Sequence, residues 1–160
     1  GLLYLLEAMH DQADMELVTI GVQKEIFDQL YGRFGFKVSA RHYGMVPHQD
    51  VPRLIREAHC IVVPTLEDGI ALSIDEGMAS GLVPVTCPDA ADAMRENGRV
   101  VVGYEVPYRG TKHIHDILIE LRDFPERRLE KARAARAWAE KRTWGRFQQE
   151  FRQIIREVAA

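Results

Sequence analysis

What this sequence lacks excludes several classes of protein. No apolar run approaches the roughly 18 residues that a membrane span requires. The apolar opening at residues 2–6 follows no basic segment, so it does not resemble a signal peptide. The only two cysteines, Cys60 and Cys87, lie in strand-like apolar runs. We therefore expect buried free thiols and a reducing compartment.

The charge balance also gives no indication of a protein that binds strongly charged partners. The net charge of −3 favours neither a nucleic-acid-binding protein nor an acidic tail. Residues 122–157 carry eleven Lys and Arg against six Asp and Glu, and a basic stretch of this kind can contact nucleic acid or anionic lipid. Acids alternate with the basic residues there, which favours solvated helix faces. We expect a cytoplasmic protein without a nucleic-acid partner, with peripheral contact at the inner face of a membrane as the one membrane association compatible with the sequence.

The chain does contain a regular alternation of strand and helix patterns over 160 residues, which is enough for one domain with its own core. Strands are predicted at 15–20, 37–43, 60–64, 83–87 and 99–102. Helices are predicted at 2–13, 24–34, 50–58, 72–80, 89–96, 111–122, 126–141 and 144–158. Strands that alternate with helices indicate an α/β fold with a parallel sheet.

The most informative stretch joins the strand at 60–64 to the helix at 72–80. Asp68 and Gly69 lie in an acidic turn, and Glu76 follows in the first turns of the helix. Ligands bind at the carboxyl ends of strands in open α/β sheets, and a helix N-terminus favours an anion such as a diphosphate. Asp68 can accept hydrogen bonds from the hydroxyls of a sugar beside that anion.

The residue types that follow suit a nucleotide diphosphate. Gly69 lets the backbone approach a ligand closely because it has no Cβ atom. The N–H groups of Ile70, Ala71 and Leu72 have no partners within a helix that begins there, so they can donate to phosphate or sugar oxygens. The two carboxylate oxygens of Glu76 match the two hydroxyls of a ribose.

Two structural explanations of the same residues remain open. Ser73 and Glu76 match a capping box, in which the carboxylate bonds the backbone of Ser73 instead of a ligand. The acidic residues at 67–69 also fit an ordinary surface turn. Spacing alone does not decide between these explanations and a ligand site.

The order of the motifs resembles the retaining glycosyltransferases of family 4. Their signature runs Glu-Gly-Phe-Gly-Leu, three residues, Glu-Ala-Met-Ala-x-Gly and a Pro-Val strand, and the matching motifs here lie at 68–72, 76–81 and 83–85. Residues 43–47 resemble the family's loop beside the nucleotide base, and residues 143–144 resemble its closing Ser/Thr-Trp segment. The resemblance extends almost end to end.

The resemblance implies the C-terminal, donor-binding half of a two-domain GT-B enzyme with a Rossmann-like sheet. Such an enzyme, of hexosyltransferase type here, transfers a sugar from a nucleotide diphosphate sugar to an acceptor and retains the anomeric configuration. The acceptor is unknown and is a glycan, a lipid-linked molecule or a small molecule. No cofactor and no catalytic metal are implied. In agreement, the chain has no Asp-x-Asp motif, and the spacing of His113 and His115 puts them on different helix faces.

The resemblance also implies a role for individual residues. Glu76 would bind the ribose of the donor, and Asp68 would contact the donor sugar as the catalytic carboxylate. The phosphate and sugar would face Gly69, Ile70, Ala71 and Leu72. The base would lie against Gly44, Met45 and Val46.

The sequence departs from the family pattern at three places. Asp68 replaces the first Glu of the signature, Ala71 replaces its second Gly, and Ala90 and Ala91 replace a Gly-Gly turn. These departures keep open a non-catalytic binding or interaction module of the same fold. A sugar-nucleotide epimerase, which shares the two-domain architecture, is the second alternative.

The chain opens at Gly1, where the family has a Gly just after its first strand. We therefore expect that strand, the Arg and Lys that clamp the diphosphate, and the acceptor domain to be missing, with two strand edges left exposed. We expect residues 1–160 to form one nucleotide-sugar-binding domain without turnover of its own. The amphipathic helix within 143–160 would pack back toward the missing N-terminal domain. Its apolar face comprises Trp144, Phe147, Phe151, Ile154, Ile155 and Val158.

Overall fold

The computed structural model describes residues 1–68 and 71–158, and in that part of the chain strands and helices alternate. Its helices are α1 (Leu2–Ala8), α2 (Lys24–Arg33), α3 (Val51–Leu54), α4 (Leu72–Ala79), α5 (Thr111–Asp123), α6 (Pro125–Ala139) and α7 (Trp144–Val158). Its strands are β1 (Glu16–Thr19), β2 (Ser39–His42), β3 (Cys60–Val63), β4 (Val83–Thr86), β5 (Arg95–Glu96), β6 (Arg99–Val100) and β7 (Tyr104–Glu105).

The parallel strands lie in two sheets. β1 pairs with β2, and β3, β4 and β7 form the second sheet in that order. Helix α2 connects β1 to β2, and α4 connects β3 to β4, as the crossover between parallel strands requires. The predicted α/β fold with parallel strands and flanking helices is therefore confirmed.

Neither β1 nor β3 has a strand partner on its second edge within the described residues. One core nevertheless joins the two sheets, because Leu17 and Val38 pack in the same cluster as Val85 and Val106. Helix α1 and its C-cap contribute four buried side chains to that cluster, with Leu5, Leu6 and Ala8 from the helix and Met9 from the cap. The pairing agrees with the prediction of two unpaired strand edges.

Helix α1 runs between the two sheets. It begins at Gly1, whose backbone lies against the backbone of Pro64 at the carboxyl end of β3. Past its end, the Asp11 N–H donates to the carbonyl of Lys37, just before β2. The same helix is tied to α5, because the Thr111 hydroxyl donates to the Glu7 carboxylate at 3.0 Å.

A second core lies beneath α4 and α6. Ile74 and Met78 of α4 are fully buried against Met94 and Ala135. The Trp138 indole N–H donates to the carbonyl of Ala93 at 2.8 Å and fixes α6 over this core. Helix α4 is thus held from both sides, by β3 and by α6.

The predicted helix at 89–96 is wrong, and the predicted strand at 99–102 is present only as Arg99–Val100, in an antiparallel pair. Two short 3-10 turns lead into an antiparallel hairpin of β5 and β6. Asn97 and Gly98 turn that hairpin with φ values of 51° and 75°, as a type I′ turn requires. The outermost parallel strand is instead β7, which pairs with β4 over two residues.

The three C-terminal helices lie where the sequence predicts them, with ends shifted by one or two residues. Every residue of α7 is exposed, including Phe147 and Phe151 on its apolar face. Across the described ranges 1–68 and 71–158, no helix combines the length and the apolar character needed to cross a membrane.

Candidate functional site

The predicted site lies in the segment that joins β3 to α4. The Thr65 hydroxyl donates to the carbonyl of Glu67 at 2.8 Å, which shapes the start of this turn. Asp68 follows and is half-buried. Two of the predicted phosphate-binding residues, Gly69 and Ile70, lie outside the described residues. Ala71, the third, is buried and is the N-cap of α4.

The first residue of α4, Leu72, is exposed, as a phosphate-facing position would be. Helix α4 starts at the carboxyl end of β3 and then packs closely on that strand. A Cβ atom at Gly77 would lie 2.6 Å from Cγ2 of Ile61, so only a glycine permits this approach. Successive residues of a helix point about 100° apart. Glu76, next to Gly77, therefore points to the side of the helix and away from the strand.

The carboxylate of Glu76 is directed out of the helix toward another element. Its side chain is 41% exposed, and its Oε1 accepts a hydrogen bond from Nε2 of His48 at 2.7 Å. Helix α4 begins at Leu72 with Ala71 as its cap, and no side chain bonds the helix start. The capping box of Ser73 and Glu76 is therefore absent, because Ser73 lies inside the helix and the carboxylate bonds elsewhere.

The predicted base-binding loop follows β2. Gly44 has φ 62°, and its carbonyl accepts from the Gly21 N–H at 2.7 Å, which fixes the loop beside the end of β1. Met45 is 76% exposed and Val46 is half-buried. A short 3-10 helix, His48–Asp50, comes next and carries the histidine that bonds Glu76. The loop and the carboxylate, distant in sequence, therefore meet through His48.

A second ion pair fixes the other acid of α4. Asp75 Oδ1 lies 3.1 Å from Nε of Arg142, which belongs to the segment between α6 and α7. Adjacent carboxylates of α4 are thus bound by different elements on different sides. Neither His48 nor Arg142 is predicted from the sequence as a site residue, because nothing in the local pattern marks a partner this far away.

The loops after β4 and β7 approach the same edge of the sheet. The Tyr108 hydroxyl donates to the carboxylate of Asp89, and this hydrogen bond raises the pKa of the tyrosine. Ala90 and Ala91, which stand where the family has Gly-Gly, are buried beside this contact. Ala71 and Ala90 belong to the core beneath α4 and α6, so these methyl groups contribute to packing.

A metal ion would need several His, Cys, Asp or Glu side chains close together. Within residues 1–68 and 71–158, no group of three His, Cys, Asp or Glu side chains is placed to hold a metal ion. Nδ1 of His115 lies 2.8 Å from the carbonyl oxygen of Ala8, whereas His113 is exposed.

Solved structures with the same fold are glycosyltransferases and a related synthase. A glycosyltransferase from Rickettsia africae ESF-5 aligns with 99% of this chain at a TM-score of 0.79 and 13% identity. Sucrose-phosphate synthase from Thermosynechococcus elongatus aligns with 99% at a TM-score of 0.79 and 16% identity. The pneumococcal O-GlcNAc transferase GtfA, solved with UDP and GlcNAc, aligns with 99% at a TM-score of 0.67 and 16% identity.

The chain spans 44%, 42% and 32% of the length of these three proteins. No curated protein sequence matches it. The family model described as "Glycosyl transferases group 1" matches residues 1–123, which include β1 to β7 and the whole candidate site. The chain therefore belongs to the group 1 glycosyl transferases.

Proposed function

We propose that this chain is the donor-binding half of a retaining glycosyltransferase and binds a nucleotide diphosphate sugar at the carboxyl ends of its strands. The observation that carries the proposal is the position of Glu76. Its carboxylate is partly exposed on the second turn of α4 and is bonded to the element that follows the loop at 44–46. A ribose diol can reach such a carboxylate, whereas it could not reach one bonded to its own helix.

The remaining roles follow the order of the chain around that point. Asp68 contacts the donor sugar as the catalytic carboxylate, and the residues from Gly69 to Leu72 face the phosphates and sugar. The base lies against Gly44, Met45 and Val46. The donor needs no metal, because backbone amides and the helix dipole supply the positive field for the diphosphate.

The acceptor half is supplied by a separate N-terminal domain of the parent protein, and residues 1–160 form one donor-binding domain. The apolar face of α7 packs against that N-terminal domain. Support comes from the exposure of Trp144, Phe147 and Phe151 in this chain, since an exposed stripe of aromatic side chains often marks an interaction surface. The acceptor is a glycan, a lipid-linked molecule or a small molecule.

The direct test is calorimetric titration of residues 1–160 with UDP, GDP and ADP. UDP is the first probe because the pneumococcal neighbour was solved with it. Glu76→Ala should weaken binding of the best ligand by about 1.5–3 kcal/mol, the loss of hydrogen bonds to a charged group. Glu130→Ala, which removes an exposed acid of α6, is the matched control and should leave the affinity unchanged.

The 2′-deoxy form of the same nucleotide separates a ribose contact from a general charge effect. It should bind more weakly than the ribonucleotide to the unaltered chain and equally to Glu76→Ala, since the carboxylate is then gone. Binding of none of the three nucleotides would favour the non-catalytic module. Equal affinity in Glu76→Ala would remove the role given to this residue.

Turnover is a separate measurement. We expect residues 1–160 to transfer no sugar from UDP-, GDP- or ADP-hexoses, because the acceptor-binding half is not part of the chain. Transfer without an added partner would contradict this part of the proposal.

A further inference from the structure

His48 lies where the predicted base loop ends and reaches across to α4. Its Nε2 is 2.7 Å from Oε1 of Glu76, and its own side chain is 82% exposed. A carboxylate only accepts, so the imidazole Nε2 donates. Exposed pairs of this kind contribute between about 0 and 1 kcal/mol to stability. The contact therefore has little weight for the fold, and its effect is on where the carboxylate lies.

Glu76 gains a fixed position from this hydrogen bond without losing its capacity to accept others. A carboxylate has about four lone-pair sites, and His48 uses one of them. The second oxygen, Oε2, stays available for a hydroxyl pair. When a ligand orders a free Glu side chain, the lost conformational entropy costs up to ~2 kcal/mol of binding free energy. The cost is smaller for a side chain that is already held in place.

No competing cation holds Glu76 from the other side within the described residues. The neighbouring acid, Asp75, is engaged by Arg142 at 3.1 Å, and this arginine comes from the segment after α6. Each carboxylate thus has its own partner. His48, the partner of Glu76, belongs to the segment that carries the predicted base contacts, whereas Arg142 does not.

We infer that His48 is a positioning residue for the donor nucleotide: it orients the Glu76 carboxylate for the ribose and couples that contact to the loop at Gly44–Val46. This inference rests on the proposed function. It assigns the substrate contact to Glu76 and gives His48 no direct contact with substrate. Ribose and base binding are thereby joined through one side-chain hydrogen bond.

The test compares four variants in titrations with UDP, GDP and ADP, using the nucleotide that the unaltered chain binds best. His48→Ala should weaken binding about three- to tenfold, the scale of one lost exposed hydrogen bond. His48→Gln should restore it to within about twofold, since the amide nitrogen of Gln occupies the place of Nε2. His48→Asn, whose amide is too short, should resemble His48→Ala. His59→Ala is the control, because His59 precedes β3 at the opposite end of the strand from the site.

A double-variant cycle gives the decisive result. In a Glu76→Ala background, His48→Ala should have no further effect on affinity, because the side chain that His48 positions is gone and leaves no acceptor. An undiminished loss in that background would overturn the inference and indicate direct contact between His48 and the ligand. Nucleotide binding by the unaltered chain with no loss in His48→Ala would overturn the inference alone. Absence of nucleotide binding by the unaltered chain would overturn the proposed function and the inference together.

Discussion

Gly103 lies directly against Pro84 of the neighbouring strand, with no room for a side chain between them. A Cβ atom at Gly103 would overlap the carbonyl oxygen and the ring of Pro84, and its φ is +72°. The residue precedes β7, the two-residue strand at the end of the second sheet. The close approach of β7 to β4 therefore depends on a glycine at this position.

Replacing this glycine should destabilise the protein more than replacing a turn glycine. We expect Gly103→Ala to lower the free energy of unfolding by about 2–4 kcal/mol, from the strain of a positive φ and from overlap with backbone. Gly98→Ala is the matched control. Its φ is +75°, but nothing lies within 4 Å of the added methyl group, so we expect a loss of only about 1 kcal/mol. Urea unfolding measures both, and equal losses would contradict the steric account.

Most of the fold was predictable, because β1, β3 and β4 contain apolar runs and β2 lies in an alternating segment, with turn residues between the elements. β7 escaped prediction because two residues carry no periodicity, and its pairing depends on contact with β4. The hairpin was predictable in principle. Asn97-Gly98 is the standard signal for a type I′ turn, but the apolar residues before it gave a helical pattern that outweighed the signal.

The candidate site was only partly predictable from the sequence. The sequence placed Glu76 near a helix start and near the end of a strand, since both follow from local pattern. It left open whether the carboxylate bonds its own helix, because a capping box and a ligand contact share the same spacing. The tertiary contact with His48, 28 residues away, shows that the carboxylate does not bond its own helix. No local pattern encodes a contact between residues that distant.

The two tryptophans should respond differently to the same substitution. The Trp138 indole N–H donates to the Ala93 carbonyl at 2.8 Å over the second core, whereas Trp144 is 74% exposed. We expect Trp138→Phe to cost about 1–2 kcal/mol, from one lost hydrogen bond and reduced packing. Trp144→Phe should change stability by less than about 0.5 kcal/mol. Urea unfolding followed by circular dichroism decides, and similar costs at both positions would show that α6 is not held through Trp138.

The pH dependence of stability should report the desolvation of Cys60, which is half-buried in β3. Burial raises the pKa of this thiol from 9.0 to about 11, so above pH 9 the unfolded chain loses a proton that the folded chain keeps. Stability then falls as pH rises from 9 toward 11 and is unaffected by this group below pH 9. Stability should be compared between pH 9 and 10, because Tyr104 contributes in the same direction above that range. Burial and the hydrogen bond to Glu120 raise the pKa of Tyr104 from 10.0 to about 12.

Unfolding of Cys60→Ala at a series of pH values gives the check. The fall in free energy between pH 9 and 10 should be shallower in the variant than in the unaltered chain, whatever the absolute stability of the two. Identical slopes would indicate that this thiol ionises as readily in the folded protein as in the unfolded one.

Helix α7 should be dispensable for the stability of this chain. Phe151 is 53% exposed, whereas Ile114 of α5 is fully buried in the core that joins the two sheets. Phe151→Ser should therefore change the free energy of unfolding by less than about 0.5 kcal/mol, and Ile114→Ala should lower it by about 2–5 kcal/mol. A short helix without packing partners is marginal in water, so Phe151→Ser should also leave the cooperative transition intact. The same variant should bind the proposed N-terminal domain more weakly than the unaltered chain does. Co-sedimentation with anionic vesicles that depends on Phe151 would instead assign the apolar face to a lipid surface. Loss of the cooperative transition in Phe151→Ser would show that α7 packs on the body of this chain.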